Sequence, residues 1–189
     1  MRNLLMLVAT LGLVFLVACN GTSNNPVQTT FSDQNETISF AKSGTQYPSA
    51  NGQGSLVFED GSKRIFTFHA MMHPDGSVQG QGMLKYVSSD PNQRLQFQFD
   101  INCLSVDGNV AIMSGILTRI VRNNTDDSQD PIEEGQNIQF KVIDNGEGAN
   151  SPPDQMSWFN HGPEVVPCDQ EDQTYSTFDI DAGNIQVRP

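Results

Sequence analysis

The chain reads as an all-β protein: a single antiparallel domain of roughly seven or eight strands, an up-and-down barrel in preference to a sandwich. Three observations predict it. Beyond Gly54 apolar and polar residues alternate with period two, turn signals such as Asp60-Gly61 recur about every ten residues, and no window sustains a helical period. Consecutive hairpins favour a meander, and closing it would remove the exposed edges that invite aggregation.

The first element is not part of that domain. Met1-Arg2-Asn3 is a short positive start, and Leu4 to Val17 is apolar except for Thr10 and Gly12. Such a run has the length of a secretory core, roughly 7–15 residues, and falls short of the ~20 needed to span a bilayer. Leu16-Val17-Ala18-Cys19 resembles the lipobox of bacterial lipoproteins, with small residues for the peptidase and a thiol to take the lipid. Residues 1–18 are thus expected to be a lipoprotein signal peptide, and Cys19 the lipidated first residue of the mature chain. Acyl chains at about 0.8 kcal/mol per buried methylene would hold it at a membrane. Asn20 is not the aspartate that commonly retains lipoproteins in an inner membrane, so in a host with two membranes the outer one is the expected location. An ordinary secretory signal or an uncleaved anchor is the alternative.

Residues 19–50 read as a tether. Asn20 to Pro26 is small and polar, and only Ile38 to Ala41 looks strand-like. The β domain is expected over 51–189. Its mature charge follows from losing Arg2 alone, which leaves 9 basic against 22 acidic side chains, a net −13. A body so acidic is repelled by phosphate backbones and anionic head groups, which argues against nucleic-acid binding and leaves the lipid on Cys19 as the membrane contact.

Within the domain, Leu56 and Phe58 share one face of a first strand, and Asp60-Gly61 turns the chain. Phe66, Phe68 and Ala70 share a face of the second, and His73-Pro74-Asp75-Gly76 turns it again. Val78, Gly80, Gly82, Leu84 and Tyr86 oppose Gln79, Gln81, Met83 and Lys85 in the third, which Ser88 to Asn92 ends. Arg94 to Ser105 alternates most cleanly, with Leu95, Phe97, Phe99, Ile101 and Cys103 on one face, so Cys103 is expected to point inward. Asp107-Gly108-Asn109 leads into Val110 to Arg122. After an acidic segment, Ile138, Phe140 and Val142 resume the pattern, and Asn184 to Arg188 is expected to close or edge the sheet.

With Cys19 assigned to lipid, Cys103 and Cys168 form an even pair in an exported, oxidising compartment, and a disulfide between them is expected. It would stabilise the fold by about 4 kcal/mol in a chain-entropy treatment. Two unrelated buried thiols are the alternative.

Several landmarks stand in order: Phe66-Thr67-Phe68-His69-Ala70, Asp75-Gly76-Ser77-Val78-Gln79-Gly80, Cys103-Leu104-Ser105-Val106-Asp107-Gly108-Asn109-Val110-Ala111, Asp144-Asn145-Gly146-Glu147-Gly148, Pro152-Pro153-Asp154 and Gly183-Asn184-Ile185-Gln186-Val187. From about Gly54 to the C-terminus they resemble a widespread set of uncharacterised bacterial exported β domains. The resemblance implies a shared fold and no particular activity.

The loop from Asp144 to Asp154 is the most unusual in composition. Asp144, Asn145, Glu147 and Asp154 on a glycine-relaxed, proline-stiffened backbone form a candidate ligand loop, able in composition to offer oxygens to calcium, although the spacing is not that of an EF-hand. The competing reading is a structural loop whose Asp and Asn side chains cap turns. Asp126, Asp127, Asp130, Glu133 and Glu134 read as a solvated hairpin loop. His69, His73 and His161 lack zinc-ligand spacing, and no nucleophile motif is present, so no catalytic residue and no metal ligand is assigned. Trp158 and Phe159, beside Met156, form either an apolar lip over a barrel mouth or a plug of core. The expected function is a membrane-anchored, non-enzymatic β module, without a cofactor, that binds a small ligand or an envelope protein. A carboxylate-based envelope enzyme, assisted by calcium, and a structural spacer lipoprotein are the alternatives.

Overall fold

The structure is a computed structural model that describes residues 46–189 except 91, 126–130, 149, 165–166 and 170–174. The signal, Cys19 and most of the tether lie outside the described residues, as do Ile38 to Ala41 and Asp126, Asp127 and Asp130. The described strands fall within the compact unit Ser43–Pro189.

Among the described residues ten antiparallel strands form one sheet that curls into a half-barrel. They are β1 (Ser49–Val57), β2 (Lys63–Met72), β3 (Val78–Val87), β4 (Arg94–Asp107), β5 (Val110–Asn123), β6 (Asn137–Ile143), β7 (Gln155–Ser157), β8 (Asn160–Gly162), β9 (Thr177–Asp179) and β10 (Ala182–Arg188). The order across the sheet is β10-β1-β2-β3-β4-β5-β6-β7-β9, with β8 also on β6. From β1 to β6 this is the expected meander, and β10 returns to pair with β1. The count exceeds expectation because β7, β8 and β9 have three residues each, too short to show an alternation.

Local chemistry sets the turns. Gly61 at φ 82° and Gly76 at φ 82° adopt a left-handed conformation that a side chain would strain. Beside them Asp60 Oδ1 accepts from the Ser62 N–H at 2.9 Å, and Asp75 Oδ1 accepts from the Ser77 N–H and hydroxyl at 3.0 and 2.7 Å. The hydroxyls of Ser62 and Ser77 first, and then their N–H groups, favour the ionised form and hold both carboxyls below their ordinary range.

Register builds the core. Ala50, Gly52 and Gly54 on β1 stand against Ala70, Phe68 and Phe66 on β2, which stand against Gly80, Gly82 and Leu84 on β3. Rings therefore lie over glycines. A Cβ on Gly52 would sit 2.5 Å from the Phe68 ring, and one on Gly82 would sit 2.3 Å from Phe99. The same rings meet edge to face across the interior, Phe68 on Phe140 at 5.4 Å and Phe99 on Phe140 at 5.7 Å.

Curvature comes from irregularities between β4 and β5. The pairing skips Val121, Thr118 and Asn102 in turn, and each extra residue bends its strand. The skip at Asn102 corrects one expectation. It shifts the phase of β4, so after Ile101 the inward position passes to Leu104, and Cys103 turns to the outer face, half-buried.

There Cys103 forms a disulfide with Cys168, whose side chain is 2 % exposed. Ser114, opposite Cys103, and Gln139, opposite Ser114, are buried beside it. Gln139 Nε2 donates to the Pro167 carbonyl at 3.1 Å, and Asn137 Nδ2 donates to the Pro163 carbonyl at 3.2 Å. The bond thus straps Cys168 to β4, beside the contacts of Pro163 and Pro167 with β6.

Two substitutions probe the packing and the strap. Gly82→Ala is expected to cost about 1–3 kcal/mol in urea unfolding because the methyl overlaps Phe99. Cys103→Ala combined with Cys168→Ala is expected to lower unfolding free energy by about 4 kcal/mol, and a reductant should reproduce the loss in the wild type alone.

Candidate functional site

Two groups of side chains stand out in the half-barrel, one at its seam and one at an open end. The seam holds the loop singled out in the sequence. Asp144 follows β6 and Asp154 precedes β7, so the loop between them lies beside β10. Alternate residues of β10 turn their N–H groups away from β1 and toward this loop. The Ile185 N–H donates to Asp154 Oδ2 at 2.7 Å, and the Val187 N–H donates to Asp144 Oδ2 at 2.9 Å.

The second oxygens are also engaged. Asp154 Oδ1 accepts from the Asn145 N–H at 2.8 Å, and Asp144 Oδ1 accepts from the Gly146 N–H at 2.8 Å. Asn145 Nδ2 bonds the Pro153 carbonyl, and Asn109 Nδ2 bonds the Asp144 carbonyl at 2.7 Å. Glu147, on the exposed side, accepts from Gln186 Nε2 at 2.7 Å and from Asn184 Nδ2 at 3.3 Å. All four residues of the candidate ligand loop therefore meet in one place, with both oxygens of Asp144 and Asp154 and Oε1 of Glu147 on amide donors of the chain. Asp154 is 6 % exposed, and two charge-assisted bonds to backbone N–H are what make such a buried carboxylate tolerable.

The histidines are dispersed. His69 sits on the outer face of β2, His73 opens the β2–β3 turn, and His161 lies on β8 opposite Ile138. Glu134 accepts from the Ile120 N–H at 2.8 Å, beside the β5 bulges. Among the described residues no group of three or more His, Cys, Asp or Glu is arranged to hold a metal.

The second site carries no motif that marks it in the sequence. At the end of the barrel bounded by the start of β2, a cavity of about 390 Å³ is lined by Leu84, Tyr86, Leu95, Phe97, Ile138 and Phe159, with Arg64 on its wall. His161 lines it too, its Nδ1 3.2 Å from Gln136 Oε1. Arg64 occupies the inward column of β2 that continues through Phe66, Phe68 and Ala70, and it stands between Leu56 on β1 and Tyr86 on β3. Period two therefore carries a guanidinium into a position where the other residues are apolar. The alternation Arg64-Phe66-Phe68-Ala70 is the one signal that could have found it.

Aromatic rings surround that charge. The Arg64 Cζ lies 3.6 Å from the Trp158 ring centroid and 5.8 Å from those of Phe58 and Tyr86. Phe58 and Trp158 stack at 5.2 Å, and Phe178 meets Trp158 edge-on at 4.9 Å. Arg64 Nε is buried without a hydrogen-bond partner. Burial pushes its pKa down to about 10, with Tyr86 opposing the shift, so it is charged at neutral pH. Trp158 contacts Arg64 outside the cavity lining and remains 38 % exposed, whereas Phe159 lines the cavity and packs against Phe97, Phe99 and Phe140.

Comparison of the chain with protein-family models, with curated proteins and with solved structures finds no match in any of the three.

The seam and the cavity respond differently to mutation. Asp154→Ala orphans two backbone donors, one of them on a buried strand residue, and is expected to cost about 3 kcal/mol or more in unfolding free energy. Millimolar calcium is expected to leave the melting temperature unchanged, since both oxygens of Asp144 and of Asp154 already accept from backbone N–H groups. Arg64→Met replaces a desolvated charge with an apolar side chain of similar length, and is expected to leave unfolding free energy within about 1 kcal/mol of wild type or to raise it.

Proposed function

We propose that this protein is a lipid-tethered module of the bacterial cell envelope that binds a small ligand in the end cavity of its half-barrel. The cavity carries the reading. Its volume falls in the range of small-molecule sites, aliphatic and aromatic side chains line it together with the polar groups of Tyr86, Gln93, Thr125 and His161, and Arg64 stands among them. A spacer would have no use for a guanidinium kept at a core position, because the charge opposes packing there.

Binding rather than turnover is the reading the lining supports. Around the cavity the titratable groups among the described residues are Arg64, Tyr86 and His161, with no carboxylate or thiol to act as nucleophile. The carboxylates on which an enzyme reading rested are those of the seam, bonded to amides there.

The anchor is carried by the sequence alone. Lipid on Cys19, with a polar stretch behind it, would hold the acidic domain near a membrane without laying it on the surface. Delivery to the outer membrane, in a host that has one, agrees with Asn20.

Two measurements test the two halves. Mass spectrometry of the mature protein should find a diacylglyceryl-modified Cys19 at the N-terminus, and Cys19→Ala should release the protein from the membrane fraction. An uncharged environment-sensitive dye, N-phenylnaphthylamine, should gain fluorescence with the wild type, and Leu95→Trp, which fills the cavity from its rim, should abolish the gain with the fold intact.

A further inference from the structure

Resting on the cavity reading, we infer that the end cavity takes an amphipathic monoanion, its carboxylate paired with the Arg64 guanidinium and its apolar body on Leu84, Leu95, Phe97, Ile138 and Phe159.

Arg64 carries an unfilled requirement. A guanidinium has five N–H donors in one plane, and the Nε–H of Arg64 is buried without an acceptor among the described residues. What it meets is a ring face. Trp158, its ring centroid 3.6 Å from Cζ, has the group over its face and supplies attraction through its π system. Stacking of that kind leaves the in-plane donors unused, and a carboxylate is the planar partner that accepts two of them at once. Trp158, Phe58 and Tyr86 also hold the group in place, so a ligand does not have to order it.

Charge counting selects a monoanion. Among the described lining residues Arg64 is the one guanidinium or ammonium group, and a second negative charge would find no second such partner there. A neutral ligand would leave the guanidinium as it is, and an amine would add a like charge beside it. The chain's net charge of −12 opposes any anion at long range, but that field is screened within about 10 Å in salt, while contact with Arg64 is local and desolvated. Cavity volume sets the remaining limit, since about 390 Å³ suits a small molecule and excludes the body of a polymer.

Displacement of N-phenylnaphthylamine by a matched series tests the inference. Octanoate, octanol and octylamine share one apolar tail and differ in head-group charge. For the wild type, octanoate should displace the dye at a concentration at least about tenfold below octanol, with octylamine weakest. In Arg64→Met the dye should still bind, and octanoate should lose its advantage over octanol. Arg64→Lys, which keeps the charge and loses the planar fork, should retain only part of it. Equal displacement by octanoate and octanol on the wild type would overturn the carboxylate assignment and leave the cavity reading standing. A preference for octanoate that survives in Arg64→Met would do the same. Absence of dye binding to the wild type would overturn both. An unfolding free energy of Arg64→Met several-fold below expectation would show the guanidinium to be paired already within the protein, which also overturns the assignment; should that variant not fold, Arg64→Lys and the three head groups on the wild type decide the matter.

Discussion

The structure depends on how a curled sheet ends. A strand at the edge of a sheet presents N–H groups that need partners, and β10 presents those of Ile185 and Val187 on the side away from β1. Among the described residues no further strand takes them. Asp154 and Asp144 do, each placing one oxygen on β10 and the other on the loop it belongs to. The two carboxylates act as a short substitute for a missing ladder. Glu147 extends the arrangement to the side chains of Asn184 and Gln186 on the exposed side. Sealing the seam accounts for the loop's unusual composition. Glycines at positive φ let it turn, prolines fix its course, and acids supply acceptors that a backbone segment of its shape could not.

Closing the seam fixes the interior that the rings must fill. Phe66, Phe68 and Phe99 rest on glycines of neighbouring strands, and Phe140 and Phe159 complete the packing from the other wall. A bare strand surface lets a large ring lie close, so the wide side chains and the missing ones are parts of one solution. Filling is complete in the middle of the sheet and stops toward the start of β2, where Arg64 takes the next inward place. The cavity is the space left there.

Arg64 illustrates the tension between packing and use. Its stem and ring contacts belong to a core, while its charge would be better solvated outside. Trp158 and Phe58 compensate part of that cost by covering the guanidinium with aromatic faces. Arg64 is thus shared between that aromatic cluster and the wall of the cavity.

Much of this was legible in the residues. Period two in Phe66, Phe68 and Ala70, and in Leu95 to Ile101, specified which faces are inside, and Asp60-Gly61, Asp75-Gly76 and Gly108 marked the turns. The even pair of cysteines announced its bond. What the alternation could not carry was a break in its own phase: the bulge at Asn102 depends on the pairing with β5, so Cys103 is outside, where Cys168 reaches it. Nor could the composition of Asp144 to Asp154 tell a ligand loop from a seam, because the same oxygens serve either, and only the approach of β10, some thirty residues on, shows which N–H groups they meet. Arg64 lay in plain view within an apolar column and became a site only when Leu95, Ile138, Trp158 and Phe159 were brought around it. Local period and turn chemistry are properties of neighbours in the chain, and the sequence by itself determined those. Bulge phase, the partners of carboxylates and the surroundings of a charge are set by residues far apart in the chain, and the tertiary structure alone decided them.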